Sequence, residues 1–79
     1  MDEKLRELLR KRIEEICFEM DISYYVLSTM TNVPQSTLHN IVRGKTKSIS
    51  VFTIFRICEG LGISVVDFFD TEEFENLVL

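Results

Sequence analysis

Leu5, Leu9, Ile13, Ile16, Cys17 and Met20 recur three and four residues apart with charges between them. That period predicts an amphipathic helix over residues 4–20. Asp21-Ile22-Ser23 breaks it, and Ser23 suits the N-cap of a second helix over 24–31. Asn32 tolerates the left-handed conformation and can end that helix. Pro34 suits the start of a third, where its missing N–H costs nothing; this helix runs over 34–43 and stops at Gly44. Only Asn32-Val33-Pro34 separates the second helix from the third. After a loop at 45–49, Ser50 can cap a fourth helix over 51–60, with Val51, Ile54, Phe55, Cys58 and Leu61 as its inner stripe and Gly60 and Gly62 bracketing its end. Ser64 can cap a short fifth helix over 65–69. No run alternates with period two. The expected fold is therefore all-α: a compact five-helix domain over 1–70, with a tail over 71–79. Phe52, Phe55, Phe68 and Phe69 are expected in its core.

The third helix divides sharply. At about 100° per residue, Gln35, Ser36, His39, Asn40 and Arg43 fall on one stripe, while Thr37, Leu38 and Ile41 fall on the other. A polar stripe is ordinarily the wet side of a helix. This one carries none of the usual solubilising Glu, Asp or Lys. Its amides and hydroxyls both donate and accept, as the recognition of base edges requires. It also follows another short helix after a three-residue turn, the spacing of a helix-turn-helix.

Composition and charge refine this picture. Seventy-nine residues, 46% hydrophobic and 28% charged, suit one small globular domain. The net charge is −4, but Asp67, Asp70, Glu72, Glu73 and Glu75 gather at the end with no base among them. The remainder holds nine bases against eight acids. An acidic chain of this kind can still bind nucleic acid through a local patch, since charges are screened beyond about 8 Å at physiological salt. Arg43, Lys45 and Lys47 form such a patch beside the polar stripe. No apolar run reaches the length of a membrane span and no signal-peptide core is present, so a soluble, cytoplasmic protein is expected.

Residues 23–69 resemble the helix-turn-helix of the Cro/phage-repressor type, the XRE family with the lambda-repressor-like fold. The likeness runs through Leu27-Ser28, Asn32-Val33, Ser36-Thr37-Leu38, Arg43-Gly44-Lys45 and Leu61-Gly62-Ile63-Ser64, in that order. It implies that the third helix is a recognition helix lying in the major groove of double-stranded DNA. Gln35, Ser36, His39 and Asn40 would then face base edges, and Tyr24, Thr37, Arg43, Lys45 and Lys47 would hold phosphates. It also implies a transcriptional regulator, a repressor acting by occupying its site. Asn32 stands where the family usually has Gly, and Pro34 where it usually has a capping Ser or Thr.

Other chemistry finds little support. Cys17 and Cys58 lie at helical spacing among apolar residues and read as buried free thiols. Neither they nor His39 make up a metal set, and no cofactor is expected. His39 has no carboxylate or Cys at ligand spacing, Ser36 lacks nucleophile-elbow glycines, and no titratable pair suggests an enzyme. The Arg10-Lys11-Arg12 run reads as a solvated face. Phe74, Leu77, Val78 and Leu79 make the tail apolar as well as acidic, and with Phe69 they suggest a homodimer built from helix five and the tail. The alternative function is a protein-interaction module, such as an antitoxin-like adaptor, on the same scaffold. Val26 and Met30, at positions often polar in the family, would favour it.

Overall fold

Hydroxyl side chains start four of the helices. Ser23 Oγ accepts from Val26 N–H at 3.1 Å, Ser50 Oγ from Phe52 N–H at 3.0 Å, Ser64 Oγ from Asp67 N–H at 2.9 Å and Thr71 Oγ1 from Phe74 N–H at 3.2 Å. Each bond satisfies an amide that the helix itself leaves open. The structure is a computed structural model that describes residues 3–78. Among them run α1 (Glu3–Met20), α2 (Tyr24–Thr31), α3 (Gln35–Val42), α4 (Val51–Leu61), α5 (Val65–Phe69) and α6 (Glu72–Glu75). The chain is all-helical, with no strand among the described residues. The sixth helix, begun by Thr71, lies within the segment expected to be a tail.

Three helices end alike. Asp21, Gly44 and Gly62 take positive φ at 54°, 70° and 70°. Beyond them the N–H groups of Ile22, Lys45 and Ile63 reach back to the carbonyls of Cys17, Asn40 and Cys58 at 3.0, 2.9 and 3.0 Å. This is the Schellman closure of a helix C-terminus. Asn32 ends α2 in the left-handed conformation, as its side chain allows. Pro34 is the N-cap of α3 rather than its first helical residue, and supplies no capping bond.

The core joins Leu9, Ile13, Ile16 and Cys17 of α1 to Leu27 of α2, Val33 of the turn, Leu38 and Ile41 of α3, Ile54, Ile57 and Cys58 of α4, and Phe68 of α5. Thr31 is the one buried polar residue among those described. Its Oγ1 donates to Leu27 O at 2.7 Å and accepts from Val33 N–H at 3.4 Å. The pair of bonds fixes the α2–α3 turn.

Several expectations need correction. The buried stripe of α4 is Ile54, Ile57 and Cys58, with Leu61 half-buried; Val51 and Phe55 are exposed. Of the four phenylalanines expected inside, only Phe68 is buried, while Phe52, Phe55 and Phe69 are 79%, 49% and 37% exposed. The segment VFTIFRIC is apolar on most sides, so its period admits two neighbouring stripes. Close packing of α4 on α2 selects one. Gly60 does not end α4 but lies inside it, against the backbone of α2. Met20 is exposed.

Arg12 also departs from a solvated face. Its side chain is largely buried, and its Nε and Nη2 donate to the carbonyls of Phe68 at 2.6 Å and Asp67 at 2.9 Å while Nη1 pairs with Glu15. It thereby holds the end of α5 against α1. Lys11 reaches Glu73 at 3.5 Å, and Phe74 packs on the core, edge-on to Phe69 at 5.0 Å between centroids. The tail is therefore partly folded onto its own domain: Phe74 and Leu77 are half-buried and Val78 is exposed. Leu79 lies outside the described residues. No helix is long and apolar enough to cross a membrane among the described residues.

Candidate nucleic-acid interface

Leu38 and Ile41 anchor α3 in the core, and that anchoring turns the opposite face outward. Gln35, Ser36, His39 and Asn40 are all exposed and together line one open, shallow depression made by α3 alone. No other part of the described chain covers it. Their side chains make no hydrogen bond or ion pair to another described residue. Amide, imidazole and hydroxyl groups are thus displayed with their hydrogen-bonding capacity uncommitted.

The corner at the C-terminal end of α3 is built from Arg43, Lys45 and Lys47. Arg43 is the C-cap, its N–H bonded to His39 O at 3.0 Å, and Gly44 turns the chain out of the helix. The loop that follows is held at three points: Lys45 N–H on Asn40 O, Thr46 O accepting from Arg6 Nη1 at 3.0 Å, and Ile49 packed on the core. Arg43, Lys45 and Lys47 are exposed and pair with no described carboxylate. Arg6 was not legible as part of this site. Its place depends on how α1 crosses the loop, forty positions away in sequence.

Two expected site residues stand apart from the open depression. Thr37 is half-buried and lines a second depression with Val33, Pro34, Phe52, Thr53 and Arg56. Tyr24 is half-buried and packs against the core. Burial first, then the charge of Glu14 in α1, pushes its phenol above the ordinary value. Its ring therefore serves the packing of α2 on α1.

The charges that face this side share one feature. Between Asp21 and Glu59 the sequence holds no acidic residue, and that interval covers α2, α3, the basic loop and most of α4. The bases of α1 are differently placed. Arg10 pairs with Glu7 and Glu14, Lys11 with Glu73 and Arg12 with Glu15, and these ion pairs neutralise much of the positive charge of that helix. Positive potential is thus left chiefly around α3, although the whole molecule is acidic.

The family model of the Cro/C1-type HTH DNA-binding domain matches residues 4–73. Neither a search of curated proteins nor a search of solved structures gave a match.

Proposed function

The chain belongs to the Cro/C1-type helix-turn-helix DNA-binding domains, and on that premise we propose that it is a sequence-specific transcriptional regulator, a repressor, that reads the major groove of duplex DNA with α3. One observation carries this reading: the uncommitted side chains of Gln35, Ser36, His39 and Asn40 share an open face beside three unpaired cations. Gln35 and Asn40 are suited to bidentate pairing with adenine N6 and N7, each pair giving about 1–3 kcal/mol of discrimination. Ser36 and His39 supply further single contacts to base edges. Thr37, Arg43, Lys45 and Lys47 hold backbone phosphates and set the register. Tyr24, at the start of α2, offers its hydroxyl to a further phosphate while its ring packs on the core.

We further propose that residues 1–70 do the reading and that two copies join through α5 and the tail. A single module buries only roughly 600–1,000 Å² on DNA, and pairing supplies a second half-site about one helical turn away. Phe69 and Val78 are exposed at that end, and Phe69 borders an apolar groove with Leu5, Leu9, Ile49, Val51, Ile54 and Phe55. Phe74 and Leu77, half-buried, back this surface. Sedimentation of the wild type as a 9.3 kDa particle at micromolar concentration would refute the dimer.

Selection of bound fragments from a random duplex pool tests the main reading. The expected result is an enriched motif whose affinity falls steeply with salt. An adaptor on this scaffold would enrich nothing and would leave random duplex unbound even at low salt.

A further inference from the structure

Arg43, Lys45 and Lys47 all lie at the C-terminal end of α3. A helix that reads the major groove sets its N-terminal residues at base edges. Groups that flank the N-terminal end of α3 therefore come near the sugar–phosphate backbone. The N-terminal end has its own concavity, lined by Val33, Pro34 and Thr37 on one side and Phe52, Thr53 and Arg56 of α4 on the other. Arg56 is the only base of α4 and pairs with no described carboxylate. One long hydrogen bond, Nη1 to Asn32 O at 3.4 Å, leans its guanidinium toward the α2–α3 turn. That leaves most of its five donors unused. Thr37 and Thr53, half-buried, share this lining with it, and Phe52 of the same lining is 79% exposed.

We infer that this notch is a second phosphodiester site: Arg56 holds a backbone phosphate, the hydroxyls of Thr37 and Thr53 donate to the same group, and Phe52 packs on the adjoining deoxyribose. The proposal rests on the DNA-reading function of α3 and adds a contact at the end of α3 away from the basic loop. Arginine suits this place because its planar fork can keep one N–H on Asn32 O while others engage phosphate oxygens. Glu59 follows Arg56 by three positions in α4 but makes no ion pair with it, and no residue lining the notch is acidic, so nothing within the notch competes for the guanidinium.

Binding of the full chain to a random-sequence duplex, and to the duplex selected above, is measured from 50 to 300 mM salt for the wild type, Arg56→Met, Arg56→Lys and Lys47→Ala. One phosphate contact contributes about 0.9 to the slope of log affinity against log salt. Arg56→Met is expected to lower the slope by about that amount and to weaken both duplexes roughly tenfold at 50 mM salt, leaving their ratio unchanged. Arg56→Lys should keep the slope. A wild-type slope in Arg56→Met overturns the notch; if Lys47→Ala still lowers the slope, the reading by α3 stands without it. An unchanged slope with a lowered melting temperature in both Arg56 variants also overturns it, as a purely structural role would. Failure of the wild type to bind either duplex at 50 mM salt overturns both proposals together.

Discussion

Gly60 of α4 rests directly against the carbonyl of Met30 in α2. A Cβ built on Gly60 would meet that oxygen well inside contact distance, the Met30 carbonyl carbon at 2.9 Å and the Thr31 Cα at 2.5 Å. Backbone atoms cannot swing aside as side chains do, so the two helices would have to separate. Gly60→Ala is expected to destabilise the fold at or beyond the upper end of the roughly 1–3 kcal/mol that overpacking costs. Gly62→Ala meets no neighbour but must hold a φ of +70°, and should cost about 1–2 kcal/mol. Urea denaturation of the two variants checks the order; an equal or smaller loss in Gly60→Ala would mean that α2 and α4 are not in backbone contact.

The exposed polar face of α3 can be emptied without touching the core. Gln35→Ala and Asn40→Ala remove exposed side chains that bond to nothing in the described chain. Stability should stay within about 0.5 kcal/mol of wild type. Preference for the selected duplex over a scrambled one should fall by about 1–3 kcal/mol for each change. If both variants keep the full preference, α3 is not the element that reads sequence.

Arg12 ties α5 to α1 through two carbonyls. Lysine keeps the charge but cannot reach both carbonyls with a planar fork. Arg12→Lys is therefore expected to lose about 1–2 kcal/mol and to loosen α5, read as faster amide exchange over residues 65–70. Wild-type exchange there would show that Phe68 alone secures the helix.

Alkaline pH should weaken the fold. Burial raises the thiols of Cys17 and Cys58 and the phenol of Tyr24, with Glu14 adding to the first and third. The unfolded chain then releases these protons first and binds fewer than the native state, so stability falls as pH rises. The thiol contribution is complete below the ordinary value of 9.0 and is lost as pH climbs above it toward the raised native values. The melting temperature should drop above about pH 9, and a Cys17→Ala, Cys58→Ala double variant should drop less over the same range. Equal slopes in the two proteins would show that the thiols are not protected by burial.

Much of this molecule is written in short stretches of chain. Ser23, Ser50 and Ser64 cap the helices they precede, and Asn32, Gly44 and Gly62 turn the chain at helix ends, because these effects involve bonds spanning only a few residues. The uncommitted face of α3 was legible for a related reason: Leu38 and Ile41 fix which side is buried, and the composition of the other side is read by counting. The sequence by itself thus determined α1 to α5, the turn between α2 and α3, and the polar surface displayed. What required the tertiary structure was every role set by a meeting of distant helices. A segment as uniformly apolar as 51–58 has no preferred side until α2 lies beside it, and the place of Gly60 follows from that approach alone. Arg12, Arg6 and Arg56 carry the same charge and look alike in sequence. They become a helix clamp, a loop fastener and a flank of the α2–α3 turn only because packing brings Phe68, Thr46 and Asn32 within reach of their guanidinium groups.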